Sequence, residues 1–137
     1  MMATRFSDPF VPAADTILDL LPGLVALFDR DMVYRYVNEA YRRWRCLAPE
    51  LIVGRHCSEI VGESRFPFLE PKLRAALAGA PVTYEYDLFD GGMHRRVQGS
   101  YVPHRDAAGE VVGVLVLVTD ISERHDLQRR IADTEQM

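Results

Sequence analysis

Cysteine and tryptophan are scarce in this chain: two cysteines and one tryptophan occur in 137 residues. Cys46 and Cys57 alone cannot build a disulfide framework, and in a reducing compartment both stay free thiols. Long apolar runs are missing as well. The longest, Val111 to Val118, is strand-sized, against the ~20 residues that a bilayer-crossing helix needs. The N-terminus carries no charged-then-apolar leader pattern, so the chain reads as a cytoplasmic segment. Excess positive charge is also lacking. The net charge of -4 gives no electrostatic footprint for nucleic-acid binding. The arginines of the densest basic run, Arg42-Arg43-Trp44-Arg45, are expected on the wet side of a helix. No nucleophile–base pair and no Gly-rich phosphate loop is visible.

What is present is the material of a single core. Hydrophobic residues make up 48% and charged residues 26%, ordinary for one globular domain of this length. Ile17, Leu18, Leu20 and Leu21 predict a short helix stopped by Pro22-Gly23. Leu24 to Phe28 and Val33 to Val37 read as strands around the turn Asp29 to Asp31. Asn38 is the expected N-cap of a helix over Glu39 to Arg45, with Tyr41, Trp44 and Cys46 facing inward. Short helical turns follow at Pro49 and over Cys57 to Val61, ended by Gly54 and Gly62. Pro71 is expected to open a longer helix to about Ala78, with Leu69, Leu73 and Leu77 at four-residue spacing.

The last third changes to period two. Val82 to Phe89 and His94 to Val102 alternate about Gly91-Gly92. A two-residue loop there pairs Tyr86 with Val97, Tyr84 with Gly99 and Val82 with Tyr101. It sets Asp87 against Arg96 and Glu85 against Gln98 on the other face. The β-branched run Val111 to Val118 suggests a central strand covered on both faces.

After that strand comes Thr119-Asp120-Ile121-Ser122-Glu123-Arg124. Asp120 and Glu123 have capping-box spacing. Arg124, Leu127, Ile131 and Thr134 form a weak heptad seam, and the helix is expected to continue into a longer chain. This ordered set resembles the PAS sensor-domain family: strand–turn–strand, "YVNEAYRRW", "GRHCSEIVG", a longer helix, a meander with its Pro103-x-x-Asp106-x-x-Gly109 turn, and "TDISER".

The resemblance implies an α+β fold, a five-stranded antiparallel sheet in order 2-1-5-4-3 with short helices on one face and flanking helices at each end. It divides the chain into a flexible tail (1–12), the domain (13–120) and a signalling, coiled-coil linker helix (121–137). It also implies a pocket between sheet and helices, with candidates Ala26, Phe28, Trp44, Cys57, Leu73, Tyr86, Val97, Tyr101, Val116 and Val118. Asp120, Ile121, Glu123, Leu127 and Ile131 are the implied relay.

"GRHC" resembles the start of the motif of the flavin-binding, light-sensing subfamily, with Cys57 at the flavin-bonding position. The polar anchors of that motif are replaced, by His56, Ser58 and Val61 in the segment and by Tyr86, Val97 and Val118 on the strands. Burying flavin's polar edge without partners costs kilocalories. The longer helix has no histidine for haem. His94 and His104 lie ten residues apart on one strand, roughly 33 Å at strand rise. No cofactor, metal or catalytic residue is therefore expected.

The sequence reading is a regulatory domain that senses a small apolar or aromatic ligand, or pairs into a homodimer through its flanking helices. The output lies in a linked domain, as in a two-component histidine kinase. A flavin- or haem-binding light, redox or gas sensor is the alternative within the same family, and two readings of other classes stand beside it. One is a small enzyme using Asp87, Glu85 and His94, and the other is a thiol switch between Cys46 and Cys57.

Overall fold

The computed structural model describes residues 14–90 and 92–135. The expected tail at 1–12 and Gly91 of the hairpin turn lie outside the described residues. In chain order the elements are α1 (Ala14–Asp19), β1 (Gly23–Asp29), β2 (Tyr34–Val37), α2 (Ala40–Arg45), α3 (Pro49–Ile52) and α4 (Cys57–Val61). They continue with α5 (Phe66–Leu77), β3 (Val82–Asp90), β4 (Met93–Arg105), β5 (Val111–Asp120) and α6 (Ser122–Glu135).

The strands form one antiparallel sheet in order β2-β1-β5-β4-β3. The β3–β4 register is the one the alternation predicts: Tyr86 opposite Val97, Tyr84 opposite Gly99 and Asp87 opposite Arg96. Asp90 pairs with Met93, so the connection is the expected two-residue loop, and Gly92 takes a φ of 80°, open to glycine at no steric cost. A residue slip would turn the tyrosines to the outside.

Helix α5 lies against β4 and β5, and α2 against β1. The core between them joins Leu24, Ala26 and Phe28 of β1, Val114, Val116 and Val118 of β5, and Leu69, Leu73 and Ala76 of α5. β1 and β5 approach closely. A Cβ at Gly23 or Gly113 would run into the carbonyl oxygen of Val118 or Phe28.

Four expectations are corrected. First, Asn38 does not cap α2. It is fully buried, and its Oδ1 accepts from Val25 N at 3.0 Å. Its Nδ2 donates to Leu18 O at 3.0 Å and Gly23 O at 2.9 Å. Asp19 Oδ1 accepts from Glu39 N instead, at 2.9 Å. An amide offers donors and acceptors together, which suits it to join the end of α1 to two stretches of β1.

Second, Cys46 is exposed. It closes α2 in the left-handed conformation, φ 54°, and that turns it out of the core. Third, α5 begins at Phe66, with Pro67 in its first turn, so Pro71 falls inside it. An interior proline costs roughly 3 kcal/mol through a lost hydrogen bond and a clash. Burial of Leu69, Leu73 and Ala76 carries the helix through it. Fourth, β5 is covered on one face only. Val114, Val116 and Val118 are buried, while Leu115 and Leu117 are 44% and 37% exposed.

Candidate functional site

A small cavity of about 40 Å³ lies between the inner sheet face and helices α2, α4 and α5. That is room for roughly two or three waters. Leu24 and Phe28 of β1 and Val116 and Val118 of β5 form its apolar floor, joined by Leu69 and Leu88. Tyr34, Tyr41, Arg45, Cys57, Arg65, Tyr86 and Tyr101 supply its polar atoms.

Of the sequence candidates, Phe28, Cys57, Tyr86, Tyr101, Val116 and Val118 line this cavity. Ala26, Leu73 and Val97 are buried in the core but do not line it. Trp44 is half-buried, with the Arg95 guanidinium 4.3 Å from its ring centroid. Sequence reasoning missed Tyr34, Tyr41, Arg45 and Arg65. Arg45 had been expected on the wet side of α2, yet it lines the cavity. The signal was there: Arg45 follows the inward-facing Tyr41 by four residues, which puts both on one helix face. Arg65 stands in the loop before α5, where no periodicity marks it.

The polar groups are knit together. Tyr34 packs on Phe28, centroids 4.4 Å apart, and meets Tyr41 edge-on at 6.3 Å. Tyr34 stands close enough to both Cys57 and Tyr41 to pull their pKa values down against the effect of burial. Tyr84 and Tyr101 share a hydroxyl–hydroxyl bond of 2.7 Å. The Arg65 guanidinium lies over Tyr86, 5.5 Å from that ring's centroid. Burial pushes the Cys57 thiol up to about 11, although Tyr34 and the two arginines pull it back. Burial likewise raises Tyr34, Tyr41, Tyr86 and Tyr101. All of them are neutral at physiological pH.

His56, beside Cys57, has a structural task. Its Nδ1 accepts from Ser58 N at 3.1 Å, and its backbone N–H donates to Glu59 Oε2 at 2.9 Å. This reciprocal pair caps α4 and sets Cys57 at the start of the helix, 1% exposed. The cavity does not fit an isoalloxazine ring. Val61 and Val118 line it where polar anchors would have to stand.

On the outer sheet face, Arg96 pairs with Asp87 at 3.0 Å and Glu85 at 3.8 Å, and His94 with Asp87 at 3.0 Å. The His94 hydrogen bond and Arg96 hold the exposed Asp87 carboxyl below its usual range. Such a solvated ion-pair face accounts for the three residues that an enzyme would have used. Among the described residues no group of three or more His, Cys, Asp or Glu could hold a metal. No described helix is long and apolar enough to cross a membrane.

The start of α6 is fastened to β4. Asp120 Oδ2 accepts from Arg95 at 3.0 Å, and its Oδ1 accepts from Ser122 N at 2.8 Å. Ser122 Oγ accepts from Arg96 N at 2.9 Å, and Ile121 N donates to Arg96 O at 2.8 Å. Arg124 reaches Glu85 at 3.6 Å. Glu123 stands in the first turn, while Leu127 and Ile131 are exposed. Arg95 thus touches both Trp44 on α2 and Asp120 at the root of α6.

Similar structures share this architecture. An RNA-binding Light-Oxygen-Voltage receptor matches at 24% identity over 88% of this chain and 36% of its own, TM-score 0.67. VqmA of Vibrio cholerae, solved as a dimer without target DNA, matches at 21% identity over 82% and 53%, TM-score 0.72. The PAS domain of Bordetella pertussis BvgS matches at 20% identity over 90% and 95%, TM-score 0.58. The chain thus spans about a third of the first and about half of the second. Domains of this fold occur within larger dimeric regulators. A search of curated proteins finds no match. The sequence pattern of the PAS fold matches residues 18–126, and with the sheet order and the cavity in view, the chain belongs to the PAS family.

Proposed function

We propose that this PAS domain is a sensory module with no catalysis of its own, which takes a small molecule into the cavity and relays occupancy through α6. The observation that carries this reading is one continuous chain of contacts. Tyr41 and Arg45 line the cavity from α2, and Trp44 on the same helix is stacked with Arg95. Arg95 in turn holds Asp120. A ligand that displaces α2 changes the surface on which Arg95 rests, and so the hold on α6. The free volume of about 40 Å³ means that an organic ligand must open the cavity to enter. That movement is the signal.

The test is native mass spectrometry of freshly purified protein, followed by hydrogen exchange with and without the ligand recovered. A bound small molecule whose removal changes exchange in 122–135 supports the proposal. A ligand that protects the cavity while leaving α6 unchanged removes the relay.

A second role rests on a separate observation. Val102, Leu115 and Leu117 are exposed together on adjacent strands, and α6 exposes Leu127 and Ile131. These surfaces support pairing with a second copy, and the linked output would then be controlled in a dimer.

A further inference from the structure

The charge inside the cavity narrows the chemistry of its occupant. Among the described residues lining it, none is acidic, and two, Arg45 and Arg65, carry guanidinium groups. The remaining polar lining is phenol and thiol, and a guanidinium is a pure donor. Arg45 also stands close enough to bias Tyr34, Tyr41 and Cys57 toward their anionic forms. A cleft lined by charge of one sign and apolar walls focuses the field on whatever enters. Planar guanidinium groups match the two oxygens of a carboxylate. Phe28, Val116 and Val118 ask for an apolar body at the other end.

We propose that the ligand is a small organic carboxylate, its anionic group held between Arg45 and Arg65 with tyrosine hydroxyls donating to it, and its apolar body against β1 and β5. The proposal rests on the reading of the cavity as a sensory site and names the ligand class that site takes. It narrows the expectation of a small apolar or aromatic ligand by adding an anionic group at one end. Arg65 is the residue to test first. Among the described residues it has no carboxylate in salt-bridge range, and its partner is Tyr86.

The experiment titrates the whole chain with matched pairs: acetate and acetamide, propionate and propionamide, benzoate and benzamide. Binding is followed by backbone amide chemical shifts and by thermal shift. The expected result is that one carboxylate binds at least tenfold more tightly than its neutral amide, with shifts at cavity residues. Arg65→Gln should lose at least tenfold of the carboxylate affinity and clearly less of the amide affinity, and Arg65→Lys should lose less than Arg65→Gln. Circular dichroism confirms that each variant is folded. Should Arg65→Gln not fold, Arg45→Gln makes the same test from the opposite helix.

Amides binding as tightly as carboxylates would overturn the anionic assignment and leave the sensory reading standing. No cavity shifts with any member of the panel, in a protein whose recovered native ligand is neutral, would overturn it equally. If instead no ligand is recovered from the purified protein and no member of the panel binds, the sensory reading fails with it.

Discussion

Asn38 shows how much a single residue decides here. Its amide satisfies Val25 N–H and the carbonyls of Leu18 and Gly23, and all of this is shut away from water. Asn38→Ala leaves buried backbone groups without partners, at about 1–3 kcal/mol for each one that water cannot reach. The expected outcome is a loss of roughly 3 kcal/mol in urea unfolding, with the slope of the transition unchanged. Cys57 is the second such residue. Burial raises its folded pKa to about 11 from a reference of 9.0. Its contribution to stability is therefore complete below pH 9 and declines as pH rises towards 11. Unfolding free energy measured from pH 8 to 11 should fall, and Cys57→Ala should flatten part of that fall. A thiol reagent at pH 8 should modify the exposed Cys46 quickly and Cys57 only on unfolding. A bridge between the two under mild peroxide would contradict their placement, one at the surface and one in the core.

At the scale of elements, the β3–β4 hairpin and the root of α6 behave differently. The hairpin is held by its own alternation, and Gly99 serves it. The Tyr84 and Tyr86 rings lie 3.3–3.4 Å from where a Cβ at 99 would stand, so the strand opposite must stay bare for them to lie over it. Helix α6 is held by a few polar contacts at one end. Partial burial of Asp120 raises its carboxyl, while hydrogen bonds from Ser122 and Arg95 outweigh this and bring it below 3.8. The attachment is thus complete above about pH 4 and fades as pH falls through the lower folded value. Arg95→Ala should free α6 without unfolding the sheet. Faster amide exchange over 122–135, with β1 and β5 exchange unchanged, is the expected reading. Equal protection in the variant would assign the hold to Ser122 and Ile121 instead. Any stability lost with this half-exposed pair should be small, on the order of 1 kcal/mol or less.

For the molecule as a whole, the two sheet faces have different fates. The inner face is closed by α2 and α5, while the outer face leaves Val102, Leu115 and Leu117 partly in water. Across the β1–β5 pairing Leu115 stands opposite Leu27 and Leu117 opposite the buried Val25. Apolar side chains grouped this way are the usual material of a subunit interface. The expected outcome is a dimer in sedimentation at tens of micromolar, and Leu117→Glu should shift it to monomer with the fold intact. Monomer at that concentration in the parent chain would remove dimerisation through this face.

The hairpin register and the short helical turns were legible in the sequence, because periods of two and of three to four with Gly and Pro between them are local signals, while the sheet order came from the family resemblance. Tyr84 opposite Gly99 and Gly62 ending α4 needed nothing from afar. The misread residues were those whose neighbours come from elsewhere. Asn38 looked like a cap because the three backbone groups it serves lie 13 to 20 residues away. Pro71 looked like a helix start because the packing that overrides it belongs to β4 and β5. The β-branched run of β5 carried no mark of which face would stay open. The site divided the same way. Six candidates from strand alternation and the family likeness line the cavity, but its charge comes from Arg45 and Arg65, which an extended reading leaves on the surface. Local pattern thus determined the elements and the hairpin register of this chain, because backbone periodicity is written residue by residue, and the ordered set of motifs marked the fold they build. Only the tertiary structure decided that the cavity is small, tyrosine-lined and positive, because that depends on which distant side chains share one volume.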